Sequence, residues 1–257
     1  MTGKESVDFL QRISTNDVTG VARGEVRPTL FVSDKGRIID TVWIVPNGDG
    51  VLLCVSNGMA PKIIPWLERY IIMEEITVTD RSADMIVSMS STLSDKSFPT
   101  TFHGSPVFLS IESRTSDTAA VSDNAFESWR ISAGIPRSQH EMTEEFNPLE
   151  LYLWPWISFT KGCYIGQEVI ARLDTYNKIQ RSLCHWTADG NVNAGAPIAD
   201  DAGSPIGRVT SVLQEGSSSS GLAVLRIAFA EKGRTLTVNN SRITIDKNLY
   251  KEHPGTY

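Results

Sequence analysis

An α+β chain is predicted, with helices on one face of an antiparallel sheet and a small β-barrel at the C-terminal end. Three observations predict it. Near the start, apolar residues recur at helical spacing and are followed by short β-branched runs separated by hairpin signals. A second helical pattern opens after a glycine-flanked cysteine near residue 163. Beyond Thr175 the helical period fades into short, evenly spaced strand patterns separated by turns.

Val7, Phe9, Leu10 and Ile13 line one side of a first helix. It is expected to stop at 14–17 (STND), where short polar side chains compete with the helical backbone. Runs at 30–32, 38–45 and 51–55, broken by SDKGR and PNGDG, read as an antiparallel meander. Residues 61–70 read as a helix that Pro65 bends or shortens, and 76–80 as the strand that follows. Strands are also expected at 85–89, before a polar loop, and at 107–111, before the loop-like RTSDTAAVSDN. The segment 141–145 reads as acidic and solvated; Trp129, Trp154 and Trp156 read as packing residues.

Helical spacing of Ile165, Val169, Ile170 and Leu173 predicts a helix over 166–173. The barrel strands are expected at 181–187, 197–198, 205–213, 222–227, 236–238 and 243–245, with EGSSSSG as a hairpin tip. The boundary falls near Tyr176, giving regions 1–175 and 176–257.

Composition excludes several classes. With 257 residues, 40% hydrophobic and 21% charged, the chain reads as globular. A net charge of −6 gives no general attraction to nucleic acid. No run approaches the ~18 apolar residues of a membrane span, and neither a signal core nor a transit pattern opens the chain, so the cytoplasm is expected. Cys54, Cys163 and Cys184 form no C-x-x-C pair, which fits a reducing compartment. Three thiols also fall short of the four usual cluster ligands, and the four histidines match no zinc spacing; no resident metal is expected.

The chemistry-bearing stretch is KGCYIGQE, 161–168. Cys163 falls just ahead of a helix N-terminus, whose unpartnered N–H groups favour a thiolate, and Lys161 adds positive charge. Gly162 and Gly166 allow a tight turn or close approach of a ligand, Tyr164 offers a flat face, and Gln167 and Glu168 are placed to orient the thiol or a ligand. The alternative is a small core cysteine in a turn shaped by glycines.

KGCYIGQE, with NPLE at 147–150 and SFTKGCYIGQEVIAR, resembles the signature of the YgfZ/GcvT-like folate-binding family. FLQRISTNDV, KGRIID, MEEITVTD, WRISAGIP and GRVTS extend the resemblance over almost the whole chain, most weakly between about 82 and 124. It implies a GcvT-like fold, two intertwined subdomains over 1–175 around a central folate channel, and then the barrel. It implies a tetrahydrofolate-type ligand and iron–sulfur enzymes or cluster-assembly proteins as partners, without classical enzymatic activity. The rival is a tetrahydrofolate-dependent aminomethyl transferase. Cys163 is then the reacting residue, and Asn16, Asp17, Asp40, Arg130, Lys161, Gly162, Tyr164, Gly166, Gln167 and Glu168 the candidate binding set. Against each stands a structural role: an Asx-type turn for Asn16 and Asp17, an ion pair for Arg130, a strand position for Asp40. One departure is plain: where aminomethyltransferases carry an acidic pair, this chain has Asp40 and Thr41.

Overall fold

The structure is a computed structural model that describes residues 1–95, 97–102, 105–114, 123–239 and 241–249. The chain divides into two compact units, Met1–Ala119 with Trp154–Val169, and Ala120–Leu153 with Ile170–Tyr257. The barrel strands all follow Tyr176, while the second unit also takes in 120–153 and 170–175.

In the first unit, helix α1 (Ser6–Ile13) precedes strands β1 (Arg27–Val32), β2 (Ile38–Asn47) and β3 (Gly50–Val55), which pair antiparallel in that order, and helix α2 (Ala60–Glu68) follows. One face of the sheet buries Phe31, Val42, Ile44 and Val51 against Phe9, Leu10 and Ile13 of α1 and Ile63 and Leu67 of α2. Because side chains alternate along a strand, Thr41 and Trp43 take the opposite face. There the Trp43 ring meets Trp156 edge-on at 5.1 Å, and Trp156 meets Phe102 at 4.6 Å. Phe31 opposes Asp40 and Val32 opposes Ile38, so Ile39 is the extra residue of a β-bulge just before the Asp40–Thr41 pair.

Strands β4 (Met85–Ser90), β5 (Ser97–Phe102) and β6 (Ser105–Ser113) form a second antiparallel sheet in the order β4-β6-β5. The polar stretch expected to be loop therefore passes into a strand. Pro99 is tolerated in β5 because this is an edge strand. The strand expected at 76–80 does not form: Thr77 makes a single bridge to Thr2, and no second strand of the described residues extends that pairing into a ladder. Helix α2 ends at Glu68 instead of 70; Pro65 lies inside it and removes one backbone donor, while buried Ile63 and Leu67 hold the helix to the core.

In the second unit, helix α3 (Asp123–Ala133) begins inside the stretch read as loop, of which 115–122 lie outside the described residues. Trp129, expected in the core, is half-buried beside Phe126, whereas Trp154 and Trp156 in the first unit are buried. Asn147 caps a short 3₁₀ turn, Pro148–Leu151, in a reciprocal capping box with Glu150. Helix α4 (Gln167–Thr175) leads to the barrel strands β7 (Arg181–Asp189), β8 (Pro197–Ala199), β9 (Pro205–Glu215), β10 (Ser218–Arg226), β11 (Thr235–Val238) and β12 (Ser241–Asn248). They close in the order β10-β7-β12-β11-β8-β9, with Trp186, Val209, Leu225, Leu236 and Ile243 inside. The expected seven-residue hairpin tip shrinks to Gly216 and Ser217, because Ser218–Ser220 pair with β7 and β9. Among the described residues, no helix is long and apolar enough to cross a membrane.

Candidate functional site

The first unit brings the α1–β1 turn and the 155–168 segment together. Helix α1 stops where Ser14 Oγ donates back to Leu10 O at 2.8 Å, and the chain turns through Thr15, Asn16 and Asp17. Thr15 Oγ1 donates to Trp156 O at 2.7 Å, Ser158 N to Thr15 O at 2.9 Å, and Lys161 N to Ser158 Oγ at 3.2 Å. Lys161 Nζ then donates to Ser14 O at 2.8 Å and Asn16 O at 2.6 Å, with Gln11 Oε1 at 3.5 Å, and stands 5.2 Å from the Tyr164 ring centroid. Burial lowers the Lys161 amine to about 8, against the opposing charge of Asp17.

Asn16 and Asp17 sit in this turn with their side chains engaged. Asn16 Nδ2 donates to Pro28 O at 2.7 Å, and its Oδ1 accepts from Asp17 N at 2.9 Å. Asp17 Oδ1 accepts from Thr19 Oγ1 at 2.6 Å, Thr19 N at 3.0 Å and Gln11 Nε2 at 3.1 Å. The two Thr19 bonds are the main reason its carboxyl lies below the ordinary range.

Cys163 is exposed, whereas Cys54 and Cys184 are buried and pushed up to about 12 by that burial. The thiol is thus not a small core residue. Gly166 has φ +78°, and a Cβ there would stand 2.6 Å from Ser33 O, so glycine is required where the loop meets the β1–β2 turn. Gly162 is different: a Cβ there would meet nothing within 4 Å. Tyr164 is buried, its hydroxyl has no partner among the described residues, and burial raises that phenol. Gln167 opens α4 half-buried, and Glu168 is exposed on its first turn.

Asp40 is buried on the helix-covered face of β2. Its Oδ2 accepts from Ser56 N at 2.9 Å, while Oδ1 has no partner among the described residues. Burial raises its carboxyl, and the Ser56 hydrogen bonds work against that rise. On the other face, Thr41 Oγ1 and Trp43 Nε1 are likewise buried without partners.

Arg130 lies in the second unit and is completely buried. Its Nε donates to Glu127 Oε1 at 2.7 Å and its Nη1 to Ile135 O at 3.2 Å and Glu141 Oε2 at 3.5 Å. Its Nη2 donates to Glu127 Oε2 and to Ser211 Oγ at 2.8 Å. All five guanidinium N–H groups therefore serve protein acceptors. Glu141, expected to be solvated, is buried: it accepts from Arg130, from Ser211 Oγ at 2.6 Å and from Arg137 N at 3.0 Å. Burial opposes the charge of Glu127, but Arg130 and Arg137 outweigh it and lower its carboxyl.

Sequence reasoning missed Gln11, Ser14, Thr15 and Ser158 as partners of the KGCY loop, because the first three meet that segment only across more than 140 residues of sequence. It also missed Trp43, and it singled out Thr41 only as the departure from an acidic pair. Clefts among the described residues include one of about 330 Å³ beside Val7, Val18, Ile44 and Val51, and one of about 540 Å³ beside Thr187, Ser220 and Thr244 on the barrel. Neither is lined by Cys163 or Asp40. No group of three His, Cys, Asp or Glu among the described residues is arranged to hold a metal ion.

Two family models match separate parts of the chain. The GCVT N-terminal domain family matches residues 1–89, and the CAF17 C-terminal beta-barrel domain family matches residues 180–248. A putative chloroplastic transferase of Arabidopsis thaliana is 28% identical, covering 99% of this chain and 69% of its own length. An aminomethyltransferase of Herpetosiphon aurantiacus is 22% identical, covering 87% and 74%. The tRNA-modifying protein YgfZ of Cronobacter sakazakii is 22% identical, covering 74% and 68%. The crystal structure of the glycine cleavage system aminomethyltransferase T from Bartonella henselae superposes with a TM-score of 0.77 at 16% identity, covering 97% of this chain and 82% of that one. The fold is GcvT-like, with a closed six-stranded C-terminal barrel.

Proposed function

This chain belongs to the YgfZ/GcvT-like family, and from that premise we propose that it is a tetrahydrofolate-binding accessory protein supporting assembly or repair of iron–sulfur clusters in enzymes. The observation that carries this reading is the KGCYIGQE loop: an exposed thiol on a segment clamped by Lys161, in a chain whose other two thiols are buried. Gly162 supports it further, since nothing in the fold requires a glycine there. A bare backbone beside the thiol leaves room for a ligand or partner to approach.

The residues present fit a folate-type ligand. A pterin edge carries adjacent N–H donors and acceptors, and unpartnered buried atoms of matching type are at hand: Asp40 Oδ1, Thr41 Oγ1, Trp43 Nε1 and the Tyr164 hydroxyl. Asp40 and Thr41 point to opposite faces of β2, so one ligand meets one of them. The face of Thr41 and Trp43 is favoured, because the aromatic rings of Trp156 and Phe102 line it and suit a pterin plane; binding there would part rings that are packed together in this structure. When bound, a reduced folate supplies a one-carbon carrier; the chain supplies the thiol, the clamp that holds its loop, and the polar groups. Arg130, with every donor engaged, has no part in this set.

Isothermal titration with tetrahydrofolate is expected to show binding, and absence of heat would end the folate part of the proposal. Cys163→Ser is expected to abolish support of cluster enzymes in cells, while intact support would remove the thiol from the mechanism. A second reading, a folate-dependent aminomethyltransferase, is favoured by the relatives of that name. Release of ammonia and methylene-tetrahydrofolate from an aminomethyl-lipoyl carrier would establish it over the accessory role. The tRNA of the YgfZ relatives' name is not carried over, since a net charge of −6 offers no general pull on nucleic acid. Free cysteines fit the cytoplasm as the place of action.

A further inference from the structure

Lys161 deepens the reading of that site. It reaches from the KGCY loop to the C-terminal end of α1, where Ser14 is the capping residue, and it joins chain positions 147 and 145 residues apart. Ser14 O is a carbonyl of the kind that helix ends leave unsatisfied, Asn16 O belongs to the turn just beyond, and a cation beside the helix end is favoured. The same turn is tied to the loop's approach by Thr15, through Trp156 O and Ser158 N. We propose that Lys161 is the positioning residue of the site: its amine clamps the 14–17 turn to the KGCY loop, so that the turn and the segment carrying Cys163 are ordered or released as one unit. This rests on the reading of Cys163 as the reacting group only for its functional meaning; the clamp itself is a property of the ligand-free protein.

Two groups face the amine, Asp17 from the turn and the Tyr164 phenol from its own loop; Gln11, also facing it, does not titrate. Burial lowers Lys161 to about 8, so the clamped arrangement sheds a proton relative to the open one. Clamping is then favoured as pH rises through that value. The neutral amine keeps two N–H donors, one each for Ser14 O and Asn16 O.

The test is hydrogen–deuterium exchange on the full ligand-free chain, corrected for intrinsic exchange, from pH 7 to 9.5. Wild type is expected to gain protection with pH in 14–17 and 158–164 together. Lys161→Met is expected to speed exchange in both segments by roughly tenfold and to leave the barrel unchanged. Lys161→Arg, which stays charged, is expected to show no pH-dependent gain. Loosening of one segment alone, undiminished protection in Lys161→Met, or loss of wild-type protection with rising pH would overturn the proposal. Should Lys161→Met fail to fold, the wild-type profile and Lys161→Arg decide it. Intact coupling with no heat of folate binding would sink the folate reading and leave the clamp standing.

Discussion

Asp40 shows what a single side chain costs in a core. One carboxylate oxygen accepts from Ser56 N and the other has no partner among the described residues, so burial raises the group. A carboxyl raised in the folded state favours folding while protonated; that contribution is complete below its ordinary value of 3.8 and is lost as pH rises through the raised one. Asp40→Asn keeps an acceptor for Ser56 and removes the charge. It is expected to stabilise the chain at pH 7.5 and to stabilise it less at pH 4. Thermal melts at the two pH values check this, and destabilisation at pH 7.5 would show the charge to be compensated. Cys163 is the opposite case: exposed, it is expected to tolerate Cys163→Ser within about 0.5 kcal/mol by denaturant unfolding. A larger loss would mean that the sulfur packs.

At the scale of the element, the KGCY loop depends on one of its two glycines for shape and leaves the other free. Gly166→Ala meets Ser33 O and a left-handed backbone, and is expected to cost of order 1–3 kcal/mol. Gly162→Ala meets open space and is expected to change stability by less than about 0.5 kcal/mol. Equal losses in denaturant titrations would contradict the difference in packing. If Gly162→Ala is stable yet fails to support cluster enzymes, the glycine serves approach to the thiol. In the second unit, α3 is tied to β9 by Arg130 between Glu127, Glu141 and Ser211. Glu141→Ala leaves a buried guanidinium short of an acceptor, and unfolding titrations are expected to show a loss of about 3–5 kcal/mol.

For the whole molecule, the barrel does not finish its own burial. Ala223 and Leu225 point into its interior, so Leu222 and Val224 point outward, yet both are buried. A fragment of residues 176–257 lacks α3 and the partners of Ser211, and is expected to melt below the full chain and to bind a hydrophobic dye; equal melting would show the barrel to be self-sufficient. Much of this architecture was legible in the sequence: the first helix, the meander, the cysteine-bearing turn and all six barrel strands rest on periods of 3.6 and 2 that local side-chain patterns carry by themselves. The helix α3, the strand at 97–102 and the burial of Glu141 were not legible, because each is set by partners distant in sequence, such as Ser211 for Glu141. The same holds at the site. Sequence alone determined the residue types of KGCYIGQE and the loss of the second acid at position 41. Only the tertiary structure decided that Lys161 caps a helix 147 residues away and that Arg130 is fully engaged. It also decided that a bulge at Ile39 sets the faces of Asp40 and Thr41, because hydrogen bonds to backbone carbonyls and strand register depend on which segments meet and leave no mark in the identity of the residues they join.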